Sequence, residues 1–97
     1  MTWRFCVVAS VQERLLSRIL QVLEVQRVSI QFFSGEISAA EARITFVVSS
    51  EETRAYRIEA LLYRLEAVRT VLVTRLLEPP TEQDSRSGSL IGKKFQN

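Results

Sequence analysis

Apolar positions along the chain recur with two different periods, and the switches between them outline the elements. Residues 3–9 are rich in aromatic and β-branched side chains, with Trp3, Phe5 and Val7 on one face of a pleated strand and Arg4, Cys6 and Val8 on the other. Such residues suit a pleated surface, and apolar groups on both faces predict a central strand. Ser10 and Glu13 then stand in S-x-x-E spacing. In that box a Ser hydroxyl accepts from the Glu backbone N–H while the Glu carboxylate reaches back, so a helix is expected to start at Ser10. Leu15, Leu16, Ile19, Leu20, Val22 and Leu23 supply its apolar stripe, Arg14, Ser17, Arg18, Gln21 and Glu24 its wet face, and the pattern ends near Gln26 or Arg27.

Alternation returns over residues 28–33, with Val28, Ile30 and Phe32 on one face and Ser29, Gln31 and Phe33 on the other. A polar connection containing Gly35 leads to residues 42–49, where Ile44, Phe46 and Val48 oppose Arg43, Thr45 and Val47. These two strands are expected to form a hairpin. Ser49 and Glu52 repeat the capping spacing, and Ala55, Ile58, Leu62 and Leu65 form a helical stripe running to about Glu66. Residues 70–77 read as a last strand, stopped before Pro79 and Pro80, which cannot continue a ladder.

The order strand, helix, strand, strand, helix, strand predicts an α+β, ferredoxin-like βαββαβ domain over residues 1–77: a four-stranded antiparallel sheet with two helices on one face. Residues 78–97 turn to Pro, Thr, Gln, Asp, Ser and Gly, with Leu90, Ile91 and Phe95 isolated among them. That composition predicts a flexible C-terminal tail, removable at Glu78 without loss of fold.

Composition narrows the chemistry. At 97 residues and 46% hydrophobic content, one modest core is expected. Apolar runs fall far short of the roughly 18–20 residues that cross a bilayer, and the first residues lack a basic flank followed by an apolar stretch, so a cytoplasmic location without membrane contact is expected. The single thiol, Cys6, sits in the apolar run Phe5-Cys6-Val7-Val8 and reads as a buried strand residue, not a nucleophile. The 13 basic and 11 acidic residues are scattered, which argues against nucleic acid as a partner.

Histidine is absent, which removes the usual neutral-pH base and the commonest metal ligand. No catalytic residue, metal or cofactor is expected. Single-stranded RNA binding on the sheet would need exposed stacking aromatics, yet Phe46 shares its face with Ile44 and Val48 and reads as core. An acylphosphatase-type enzyme would need a phosphate-cradling glycine loop, and the loop Val11-Gln12-Glu13-Arg14-Leu15-Leu16 has no glycine.

The strand order alone fits many functions. The residues are more specific. Ala42-Arg43-Ile44-Thr45-Phe46-Val47-Val48 resembles the S-R-M-T-I-V-V strand of acetolactate synthase small subunits. Leu62-Tyr63-Arg64-Leu65-Glu66-Ala67-Val68-Arg69-Thr70-Val71 is similar to their L-N-K-L-x-D-V-x-x-V run, and Leu16-Ser17-Arg18-Ile19 to the L-x-R-[VI] that starts their first helix. The resemblance covers about residues 3–77 and is nearest to the short type built of one ACT domain.

It implies a non-catalytic regulatory subunit that binds and activates the thiamine-diphosphate-dependent large subunit of branched-chain amino-acid biosynthesis, with the cofactors on that partner. A free-standing amino-acid-sensing ACT protein is the alternative. Effector-binding members hold their ligand between a D-x-P-G-x-L-like loop after the first strand and the second strand of a partner chain. Here that places Arg14, Leu16, Ser29 and Ile30 at the effector position, with Arg14 where the family has glycine, so weak or absent valine binding is expected, the alternative being a different anionic effector whose carboxylate the arginine clamps. The loop otherwise reads as a plain capped helix start. Since the second strand has no Lys, Pro or Gly from Val28 to Phe33, a homodimer joined along Val28, Ile30, Phe32 and Phe33 is expected.

Overall fold

The computed structural model describes residues 1–77; the tail expected over residues 78–97 lies outside the described residues. The elements run β1 (Thr2–Ala9), α1 (Leu15–Val25), β2 (Ser29–Ile37), β3 (Ala42–Ser49), α2 (Glu52–Tyr63) and β4 (Val68–Leu76). All pairings are antiparallel, in the order β2-β3-β1-β4. The ferredoxin-like sheet with β1 at its centre is therefore the fold that the periodicities require.

One parity of each central strand faces the helices. Trp3, Phe5, Val7 and Ala9 from β1 and Ala42, Ile44, Phe46 and Val48 from β3 are all buried. Leu15, Ile19 and Leu23 of α1 and Ala55, Ile58 and Leu62 of α2 close the core from above. Phe5 lies opposite Phe46 and Phe46 opposite Phe33 across the sheet. Their rings stack in turn, with centroids 4.9 Å apart in the first pair and 6.0 Å in the second. Phe46, in the middle, is wholly buried, so it is core as expected and unavailable to stack a base.

Several local expectations fail for identifiable reasons. Neither S-x-x-E box caps a helix. α1 begins at Leu15 with no side-chain cap, and Ser10 instead donates to the Ala67 carbonyl through both its N–H (2.8 Å) and its hydroxyl (3.4 Å). The apolar stripe decides the start: Leu15 is the first residue that α1 buries, whereas Val11 is 45% exposed. Leu16 and Leu20, read as part of the stripe, stay 37% and 40% exposed because α1 lies at the β2 side of the sheet, where little covers its outer flank. At the second box Ser49 remains in β3, paired with both Ser29 and Thr2, and Glu51 stands at the cap position of α2 without a side-chain bond. α2 also stops at Tyr63 instead of Glu66. There, tight bonds from Arg64 N to Leu61 O, Leu65 N to Leu62 O and Val68 N to Leu65 O turn the chain into β4, which begins at Val68.

The largest departure is a β-bulge in β2. Ile30 pairs with Val48 but Phe32 with Val47, so Gln31 is an extra residue with no partner. The insertion reverses side-chain parity. Ile30 and Phe33 share the helix-side face, Phe32 points to the open face, and the assignment of Val28, Ile30 and Phe32 to one face against Phe33 is overturned. The bulge brings Phe33 opposite Phe46, which continues the ring stack.

Candidate functional site

The loop between β1 and α1 is set by its two anchors. Ser10 is tied to Ala67 at the start of β4, and Gln12 O accepts from Leu15 N at 3.2 Å. Between them the chain must reverse onto the helix axis, and Arg14 does so with φ 69° and ψ 10°, in the left-handed region. Its carbonyl then accepts the first helical bond, from Arg18 N at 2.9 Å. The loop is thus no plain capped helix start. Arg14 holds the backbone conformation that glycine adopts without strain, at the place where the resemblance has a glycine.

The candidate effector residues divide between two places. Arg14 is exposed at the loop. Leu16, in the first turn of α1, leans over β2 at Gly35: its Cδ2 lies 4.0 Å from where a Cβ on that glycine would stand. Ser29 and Ile30 begin β2, and Ile30 lines a groove of about 460 Å³ with Leu20, Leu23, Glu24, Arg27 and Val28. Gly35 and Ile30 are separated by roughly 15 Å of strand at the usual rise per residue. A single chain therefore does not bring Arg14 and Leu16 together with Ser29 and Ile30.

The expected dimer residues do not form one surface either. Val28 precedes β2 and packs partly on the core, as does Phe33. Ile30 (42% exposed) and Phe32 (52%) are open to solvent on opposite faces. Cys6 is half-buried on the open sheet face, not fully buried, and accepts from Thr45 Oγ1 at 3.9 Å.

One recess borders the loop and a second lies between the helices. A cavity of about 140 Å³ is lined by Gln12, Glu13, Leu15, Arg18, Leu65, Glu66 and Ala67. Arg18, read as a solvated outer-face residue, is exposed and also borders a shallow groove between the helices with Val22, Val25, Leu61 and Leu65. Arg27 is a residue that sequence reasoning missed. It takes φ 57° just past α1, and its N–H donates to Glu24 O at 3.0 Å, the bonding of a left-handed helix stop. An arginine carries no local signal for that conformation. Among the described residues no three His, Cys, Asp or Glu side chains lie close enough to hold a metal, and no helix is long and apolar enough to cross a membrane.

No family model matches the sequence, and no curated protein matches it. Solved structures do. The ACT domain of GTP pyrophosphokinase from Chlorobium tepidum is similar with a TM-score of 0.69 at 11% identity, over 76% of this chain and 97% of that one. A homoserine dehydrogenase from Thiobacillus denitrificans gives 0.69 at 19% identity, over 79% of this chain but 17% of the enzyme. The regulatory subunit of aspartate kinase from Thermus thermophilus gives 0.59 at 9% identity, over 75% and 50%. With the same order of strands and helices, the described chain has the fold of an ACT domain.

Proposed function

We propose that this chain is a non-catalytic regulatory subunit of the acetolactate synthase type, which binds and activates a thiamine-diphosphate-dependent catalytic subunit. The observation that carries the reading is the left-handed backbone at Arg14. It falls where the resemblance puts the glycine of the effector loop, and neither composition nor periodicity would place it there. The fold, and the agreement in order of the three stretches beginning at Leu16, Ala42 and Leu62, support the same conclusion.

The reading includes a homodimer through β2, the outer strand next to β3. Antiparallel pairing about a two-fold axis sets the start of one β2 against the end of the other. Ser29 and Ile30 of one copy then approach Gly35 and Leu16 of its partner, which assembles the divided effector position from two chains.

Co-expression with an acetolactate synthase large subunit, followed by synthase assays with and without this chain, tests the proposal. Co-purification and a rise in specific activity are expected. No complex and no change in rate, together with micromolar binding of a free amino acid, would instead make this a free-standing sensor.

A further inference from the structure

The sheet has two outer strands, β2 and β4, and each presents a row of backbone groups to any further strand. The two edges are treated differently. On β4, Val71 turns its N–H and C=O away from β1, and both meet one side chain. Val71 N donates to the Tyr63 hydroxyl at 2.9 Å, and that hydroxyl donates to Val71 O at 3.3 Å. A phenol is suited to this, being donor and acceptor through one atom. Tyr63 is the last residue of α2, and the bonded turn that follows it fixes the ring over the fourth residue of β4. On β2, among the described residues, no side chain bonds to the backbone between Ser29 and Ile37.

We infer that Tyr63 closes the β4 edge to strand addition, so that a second copy of this chain extends the sheet only at β2. An incoming strand on β4 would need the groups of alternate residues in register, and at Val71 in the middle the N–H is engaged and the Tyr63 hydroxyl stands in front of the C=O. The assembly is then closed. Two copies joined at β2 present only guarded edges, whereas an open β4 would let dimers add end to end. Tyr63 also stands where the resemblance has asparagine, whose shorter side chain does not reach as far.

The inference rests on the proposed dimer for its consequence but is tested apart from it. Sedimentation equilibrium of the whole chain from micromolar to millimolar concentration, for wild type and Tyr63→Phe, reads the change in association whatever state the wild type has. The expected result is a rise of about tenfold in the constant for forming species larger than those of wild type, as befits two freed backbone groups. Adding Leu72→Lys, at a position 64% exposed on the open face of β4, should reverse it by setting like charges across a β4 contact. An unchanged mass distribution in Tyr63→Phe, or a rise that Leu72→Lys leaves in place, overturns the inference. Amide exchange in the wild type gives a second reading that needs no variant. Val71 N–H should exchange at least tenfold more slowly than Val73 N–H, two residues along the same edge, and equal rates also overturn it. A wild-type monomer would count against the dimer through β2 and leave the guard to be judged on these comparisons.

Discussion

Replacing Arg14 with glycine should stabilise the domain. Arg14 is held at φ 69°, where the Cβ of an L residue crowds the following carbonyl at a cost of roughly 1–2 kcal/mol. Glycine removes that cost but widens the unfolded ensemble, which returns roughly 0.5–1 kcal/mol. A net gain of about 0.5–1 kcal/mol remains, because the side chain is exposed and the bond from Arg18 N uses only the backbone. For a domain of this length that is a rise in Tm of roughly 2–8 °C, measured by circular dichroism on heating. Removing a positive charge from the first turn of α1 adds a further gain at low salt, so the experiment belongs at high ionic strength, where that contribution is screened. Arg14→Ala separates the two causes. It discards the charge but keeps a Cβ in the left-handed region, and at high salt its Tm should stay near wild type. An unchanged or lower Tm for Arg14→Gly, or an equal rise for Arg14→Ala at high salt, would refute the claim that backbone strain at this residue is the source.

Three further outcomes follow from the packing and the loop. Phe46→Ala removes the middle ring of the Phe5–Phe46–Phe33 stack from a wholly buried position, and a loss of roughly 3–5 kcal/mol is expected by urea denaturation; a loss below about 1 kcal/mol would mean that the rings are not packed as a unit. Arg54 Nη1 donates to Gln26 O at 2.7 Å and so ties α2 to the end of α1, and Arg54→Ala should cost about 1–3 kcal/mol in the same assay, with faster amide exchange confined to the last turn of α1. Calorimetric titration with valine, leucine and isoleucine should show no saturable heat at millimolar ligand, since Arg14 places a long side chain where the resemblance has glycine; micromolar binding of any of them would overturn that view of the loop.

What was legible in the sequence and what was not divide by the range of the forces concerned. β3 occupies residues 42–49 as the alternation indicates, and β1 differs only by the addition of Thr2, because strands whose one face is buried carry their register in every second residue. Both helices begin beyond the serine of their capping boxes, because such a box expresses only a local preference. Ser10 has a stronger use in meeting the Ala67 carbonyl, a partner 57 residues away that no local pattern could announce. The bulge at Gln31 has the same origin. V-S-I-Q-F-F alternates as a regular strand that would set Phe32 opposite Phe46, and nothing in that local pattern announces the inserted residue that brings Phe33 there instead.

The candidate site was the least legible part, and the two ends of α1 show why. Arg14 and Arg27 both adopt positive φ, although neither is a residue that prefers it. What fixes them is the stripe Leu15, Ile19 and Leu23, which can be buried on the sheet only if α1 keeps one position and one axis. With the helix so placed, the chain has few residues in which to enter it from β1 and leave it toward β2, and the left-handed turns are the conformations that close both gaps. Burying three such side chains contributes about 1.5–3 kcal/mol each, more than two left-handed residues cost at roughly 1–2 kcal/mol each. The left-handed turn that glycine would take without strain is therefore made with arginine at position 14, because the core and not the loop residue determines the path. A loop specified in this way keeps its backbone shape while its side chains change, so Arg14→Gly is expected to open space at the loop without moving α1, and amide chemical shifts along α1 that change would refute it.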